Sequence, residues 1–286
     1  MNPELHNVLK PLHSHERDEN IKFYEKGHKY EIVTDPKSKY TSVTTWNHSH
    51  FPHFNADEII RNMMKGKSWK EGHKYWGLTP EQIKDMWNTN RDNAAGAGTN
   101  IHYEIECFMN NPNIQPEYTH KDLYGKYILE ESVSKNNSLE WYYFLQFLKD
   151  TPNLKPYRTE WMIYHEDLKL AGSIDMVYEN EDGTLAIYDW KRSANITKIN
   201  AWNKFALTKC ICHLPDSNFW HYALQLNTYR KIIQEKYGKQ VTKLCLVRLH
   251  PDCEEETYEL LNVPILEKEI TDLFEERKKE IYCENA

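Results

Sequence analysis

Residues 172–193, GSIDMVYENEDGTLAIYDWKRS, constrain this chain most. Ile174, Val177 and Tyr178 mark one strand, and Leu185, Ile187 and Tyr188 mark a second. Asn180-Glu181-Asp182-Gly183 supplies a tight turn between them, so the segment reads as a hairpin with strands at about 169–179 and 184–191. A turn centred on Asp182 sets Asp175 opposite Asp189. Opposed cross-strand residues have Cβ atoms about 5 Å apart, and two like charges there repel. A divalent cation between the carboxylates removes the conflict, and a small oxygen cluster suits Mg²⁺ or Mn²⁺. Side chains alternate along a strand, so Asp189 and Lys191 share one face while Trp190 points away. The competing reading is a solvated hairpin with a surface salt bridge.

Elements of both kinds surround this hairpin, which places the chain in the α/β class. IKFYEKGHKYEIV reads as an earlier hairpin around Lys26-Gly27, after a polar, loose arm at 1–20. YTSVTTW is a short strand or the start of a helix. Helical patterns follow at 56–66 and at 79–94, the second capped by Thr79 with Pro80 at its first position. GAGTNIHYEIECFMN looks like a Gly-rich opening to a separate helix, with Ile101, Ile105, Phe108 and Met109 as its apolar stripe. Residues 111–137 look like a polar insertion. SLEWYYFLQFLKD is a helix capped by Ser138, with Leu139, Tyr142, Tyr143 and Phe147 among its apolar positions. Strands are expected at 157–165, at VTKLCLVRL and at ETYELLNV, the last an edge, with helices near 217–237 and 264–281.

The 286 residues carry a net charge of −7, which excludes a uniformly basic, nonspecific nucleic-acid coat. A local groove is still open to the chain. Residues 190–215 hold Lys191, Arg192, Lys198, Lys204 and Lys209 with no Asp or Glu. A weaker basic stretch holds Arg61, Lys65, Lys67, Lys70 and Lys74. The 19 tyrosines and 9 tryptophans are a surplus that fills cores or stacks on bases. Six scattered cysteines form no CxxC pair. No signal peptide or membrane-length apolar run is seen, so a soluble intracellular protein with reduced thiols is expected. His48, His50 and His53 lie close enough to suggest a metal, but their segment reads as an irregular loop.

Four motifs stand in order: GTNIHYEIE with His102, GSID with Asp175, DWK with Asp189 and Lys191, and YALQLNTY with Gln225 and Tyr229. The ordered set resembles the RecB-like exonuclease branch of the PD-(D/E)XK nuclease superfamily. The opening HKY…TSVTT is similar to the start of its phage, large-virus and mitochondrial genome maintenance members. The resemblance covers about 100–250, and more weakly 20–100.

That resemblance implies a restriction-endonuclease-like core at 96–286, a central mixed sheet flanked by helices. Residues 1–95 would supply an arm, a hairpin and a helical extension that roofs the site. Asp175, Asp189 and the Trp190 carbonyl would hold Mg²⁺, for which Mn²⁺ would substitute, and His102 would add an imidazole. Lys191 would orient the attacking water and stabilise charge on the phosphate. Glu160 matches an acid often found in such nucleases, binding metal through water or pairing with Lys191. Glu106, one turn after His102, would stand behind the ligands or on the surface. Gln225 and Tyr229 would contact DNA or pack, and Arg192, Lys198, Lys204 and Lys209 would border its path. The cysteine spacing of iron–sulfur relatives is missing, so no cluster is expected, and without a P-loop any helicase would be another chain. The expected activity is hydrolysis of DNA from single-stranded or frayed ends in replication, repair or recombination, leaving 5′-phosphates and 3′-hydroxyls. The alternatives are a structure-specific endonuclease and an inactive DNA-binding module.

Overall fold

The computed structural model describes residues 7–110, 115, 117–129 and 136–284. The chain runs through α1 (Leu9–Leu12), a 3-10 turn (Glu16–Asn20), the hairpin β1 (Ile21–Tyr24) and β2 (Lys29–Ile32), and β3 (Thr41–Ser42). Helices α2 (Val43–Ser49), α3 (Ala56–Lys65), α4 (Pro80–Met109), α5 (His120–Leu129) and α6 (Leu139–Asp150) follow. Next come strands β4 (Lys155–His165), β5 (Leu170–Glu179) and β6 (Leu185–Lys191), helix α7 (Asn218–Lys236), β7 (Val241–Arg248), β8 (Glu259–Asn262) and α8 (Glu267–Glu284).

The fold is α/β, with a mixed central sheet flanked by helices. Strands β4, β5, β6, β7 and β8 lie side by side, with β3 added to the start of β5. Among the described residues only β6–β7 and β3–β5 are parallel pairs. A parallel pair needs a long crossover, which α7 supplies. One face of the sheet, with Val177, Ile187 and Leu246, packs against Leu224 and Ile233 of α7 and Leu273 and Phe274 of α8. The other face, with Met176, Tyr188 and Val247, packs against Ile101 and Ile105 of α4 and Phe144 and Phe147 of α6. Both faces are apolar because both are covered. Burying one such side chain contributes about 1.5–3 kcal/mol.

Four expectations need correction. The helices expected at 79–94 and after Gly98 are one continuous α4, opened by the reciprocal Thr79–Gln82 capping box. The stretch between Trp87 and Ile101 contains no proline and includes Ala94, Ala95 and Ala97, the strongest helix former. A side chain at Gly96 or Gly98 would meet nothing within 4 Å, so packing does not demand a break there. The arm is not loose over residues 9–20. Leu9 is buried, and the Asp18 carboxylate accepts from Arg158 Nη1 (2.7 Å) and Trp161 Nε1 (3.0 Å) on β4. In α6, Leu139 and Tyr142 face solvent, and the buried stripe is Trp141, Phe144, Phe147 and Leu148 beside Tyr143.

The fourth correction concerns the expected insertion at 111–137, of which residues 111–114, 116 and 130–135 lie outside the described residues. Within it α5 is part of the core. Leu123 is buried, and His120 bonds Tyr178 Oη and Thr151 Oγ1, both at 2.9 Å. YTSVTTW is strand and helix in succession, because Ser42 ends β3 and caps α2 by accepting from Thr45 N. The histidine segment after it is helical through Ser49. His50 Nδ1 is bound to Thr208 Oγ1 (2.9 Å) and the His48 ring lies edge-on to His221, so these two imidazoles are packed.

Candidate metal centre

The β5–β6 ladder has the register that the turn implies, from Glu179↔Leu185 to Met176↔Tyr188. It stops one residue short of Asp175 and Asp189. Beyond that point β6 stays with β7, through Asp189↔Leu246 and Lys191↔Arg248. The start of β5 pairs instead with β3, at Thr41↔Leu170 and Ser42↔Ala171. Strand β5 therefore changes neighbour around residues 172–175. At this parting the Asp175 Oδ2 accepts from Trp190 N (3.0 Å), replacing a main-chain bond by a carboxylate.

Strand β4 has a matching irregularity. Thr159 pairs with Met176 and Trp161 with Ile174. Residues two apart on a regular strand share a face. Here Met176 belongs to the core under α4, while Trp161 and Ile174 belong to the core under α7. Both strands thus change faces at Glu160 and Asp175. Glu160 takes up the twist in the left-handed region, at φ 41°. That conformation costs a non-glycine residue about 1–2 kcal/mol. Such strain concentrates at functional sites. Its Oε2 accepts from Ser173 Oγ (2.8 Å).

His102 approaches from α4, three residues before the buried Ile105. Its Nε2 lies 2.9 Å from the Trp190 carbonyl oxygen. A carbonyl can only accept, so Nε2 carries the proton. In the neutral ring Nδ1 then has only a lone pair, and it faces Asp175 Oδ2 at 3.5 Å. Two acceptors at that distance repel unless a proton or a cation sits with them. One donor atom each from His102, Glu160 and Asp175 lies within 4.8 Å of the others. The set of one imidazole and two carboxylates fits a small divalent cation, with Nε2–H fixing the ring as backbone carbonyls do behind metal-bound histidines.

This arrangement differs from the expected one in two ways. The Trp190 carbonyl is engaged by His102, so it orients a candidate ligand. Asp189 stands outside the three-residue group, and Glu160 takes its place. Asp189 is 2% exposed, with its Oδ2 2.6 Å from Lys191 Nζ. Lys191 Nζ also lies 4.7 Å from the centre of the Tyr222 ring on α7. Burial pushes the Glu160 carboxyl up to about 8, with Asp175 and Glu106 adding repulsion. Burial likewise raises Asp189 to about 6, with Lys191 opposing and Asp175 assisting the rise. Burial works against the Lys191 ammonium, but Asp189 and Asp175 hold its pKa above the ordinary lysine value. Burial also raises Glu106, which stands behind the group.

A cleft of about 740 Å³ opens onto the group. It is lined by Gly98, Thr99 and His102 of α4, by Asp175, and by Glu25 and His28 from the β1–β2 turn. The N-terminal hairpin is therefore one wall of the site. Tyr229 is 3% exposed, packed on Gly172 and hydrogen-bonded to Gln225 Nε2 (3.2 Å). Of the two expected roles Tyr229 takes packing, supporting β5 at Gly172. Gln225 is half-buried beside it. Arg192 Nε is tied to Glu140 (2.7 Å), which removes it from the free cations. Lys198, Lys204 and Lys209 are exposed on the segment that follows β6. Among the described residues none of these three has a carboxylate at ion-pair distance.

Sequence reading missed Ser173, Tyr222 and the strain at Glu160. Ser173 and Tyr222 lie inside the GSID and YALQLNTY motifs, but the role of each is defined by a neighbour on another element, Glu160 on β4 for Ser173 and Lys191 on β6 for Tyr222. Comparison with protein-family models finds none that matches the chain, and comparison with curated proteins finds no match. No helix among the described residues is long and apolar enough to cross a membrane.

Proposed function

We propose that this chain is a metal-dependent DNA nuclease with a restriction-endonuclease-like core, acting from DNA ends. The observation that carries this reading is the convergence of His102, Glu160 and Asp175 within 4.8 Å beside the buried Asp189–Lys191 pair. His102, Glu160 and Asp175 would hold Mg²⁺ or Mn²⁺, with one nitrogen among the donors favouring Mn²⁺ as a substitute. When bound, the metal would polarise a phosphoryl oxygen and lower the pKa of a water. The Lys191 ammonium, pinned between Asp189 and Tyr222, places fixed positive charge where negative charge develops on the phosphate. The Trp190 carbonyl holds the imidazole, and the Ser173 hydroxyl holds the Glu160 carboxylate.

The preference for ends rests on the helical extension. The chain leaves the core at Phe51, whose ring packs on His221 of α7 (4.0 Å). It returns along α4 to His102, which lines the cleft. Between these two points α3 and the first half of α4 hold each other through Ile60, Ile83 and the Lys84–Asp57 ion pair (2.8 Å). Trp69, Trp76, Tyr75, Trp87 and Phe54 form ring contacts of 5.8–6.0 Å on this extension, where Phe54 and Trp76 remain exposed. If this extension roofs the site, a strand would have to thread beneath it, which would suit one flexible strand better than a duplex about 20 Å wide. Linear and circular single-stranded DNA of one sequence, each incubated with Mg²⁺, test this reading. Degradation of the linear form alone is expected. Equal cutting of both would indicate an endonuclease, and no cutting of either would indicate a binding module.

A further inference from the structure

The segment between β6 and α7 has a braced tip that no part of the proposed chemistry uses. The Asn200 Oδ1 accepts from Trp202 N (2.8 Å) and Lys204 N (3.2 Å), while its amide donates to Asp216 O. Asn203 completes the turn at φ 50°, a conformation asparagine tolerates. The base of the segment is fixed to α7 and α2. Asn218 Oδ1 accepts from Thr197 N (2.9 Å), Trp220 Nε1 donates to Lys198 O (3.0 Å), and Leu207 N donates to His50 O (2.7 Å). This bracing presents Trp202 at 82% exposure, with Ile199 and Phe205 also exposed beside it. A large apolar ring held in water by a built turn needs an occupant.

The charge around it says which one. Residues 190–215 carry no Asp or Glu, and Lys198 and Lys204 flank Trp202. Exposed cations interleaved with an exposed indole are the two components of sequence-tolerant single-strand binding: phosphates meet ammonium groups and a base stacks on the ring. The segment leaves β6 directly after Lys191, and its base meets α7 within one turn of Tyr222, which touches Lys191. We propose that Trp202 is a base-stacking site for single-stranded nucleic acid on the segment that follows Lys191, flanked by phosphate contacts from Lys198 and Lys204. This rests on the nuclease reading, and it adds a subsite that would hold the strand between cuts.

The test is binding of a fluorescent oligothymidylate to the full chain in chelator, where no cleavage competes. Trp202→Ala is expected to weaken affinity roughly 5- to 150-fold, the range for stacking one base on an aromatic side chain. Trp202→Phe is expected to restore most of it. The slope of log affinity against log salt should be unchanged in both, because no phosphate contact is lost. Lys198→Gln with Lys204→Gln should flatten that slope instead. An oligothymidylate with an abasic position under the ring should bind wild type as weakly as Trp202→Ala binds the intact strand. Wild-type affinity in Trp202→Ala, at an unchanged melting temperature, would overturn the proposal while leaving the nuclease reading in place. A wild-type chain that binds no oligonucleotide would remove both. Trp202-dependent binding to anionic phospholipid vesicles in place of oligonucleotide would overturn it in favour of a membrane surface.

Discussion

Gly172→Ala tests how closely the helix under the site is fitted to β5. A Cβ at Gly172 would lie 2.7 Å from Tyr229 Cε1, 2.9 Å from its hydroxyl oxygen and 3.2 Å from Cζ. Carbon atoms in contact sit about 3.5–4.0 Å apart, so the ring must retreat by roughly 0.8 Å. It has little room, because Tyr229 is 3% exposed and its α7 neighbours Leu226, Ile232 and Ile233 are fully buried. Overpacking of this kind costs about 1–3 kcal/mol. A chain of this size loses roughly 2–4 °C in melting temperature per kcal/mol. Thermal melting of Gly172→Ala should therefore fall by roughly 2–12 °C. The Gln225–Tyr229 hydrogen bond should be lost, and Mn²⁺ affinity should drop because Asp175 lies three residues along the same strand. Tyr229→Leu in the Gly172→Ala background should recover part of the loss, an interaction between contacting sites. A Gly172→Ala protein that melts within about 1 °C of wild type would show that the contact does not constrain the fold.

Lys191→Ala should abolish cleavage, and it should also destabilise the protein by about 3–5 kcal/mol, since Asp189 would be left buried without its partner. Urea unfolding checks this, and adding Asp189→Asn should restore most of the stability. Asp175→Asn should raise the melting temperature in chelator, because it removes one of two carboxylates held within 4.8 Å. The same variant should lose the Mn²⁺-induced rise. Burial alone would raise the Asp18 carboxyl, but hydrogen bonds from Arg158, His15 N and Trp161 hold it below the usual carboxylate range. Folded protein then binds fewer protons, so this stability is present above the unfolded pKa of about 3.9 and is lost as pH falls through the lower folded value. Wild type should lose stability on acidification below about pH 4, and Asp18→Asn should be weaker at neutral pH and flatter in that limb.

The parts legible in sequence were those fixed by local pattern. The β5–β6 register follows from Asn180–Gly183, and it ends one residue short of Asp175 and Asp189. The starts of α4 and α6 follow from their Thr79 and Ser138 caps. The parts that were not legible depend on distant partners. Asp18 is anchored by Arg158, 140 positions away, so nothing in residues 1–20 signals an ordered segment. Glu160 joins His102 and Asp175 because two strands twist together, and a carboxylate in a strand sequence carries no sign of a left-handed backbone. Tyr229 has the same letter whether it contacts a ligand or packs on Gly172. The absence of a break at Gly96 and Gly98 was misread because glycine marks a helix start only where something approaches or turns, and neither happens there.

The most direct test of the proposed centre is single-turnover hydrolysis of a 5′-labelled single-stranded oligonucleotide by wild type, Asp175→Asn and Glu160→Gln, with Mg²⁺ and with chelator. The account predicts metal-dependent cleavage by wild type and none in chelator. Each variant should be slower by at least about 100-fold, as expected when a group that stabilises the transition state is removed. Cleavage in chelator, or wild-type rates in Asp175→Asn and Glu160→Gln, would contradict it.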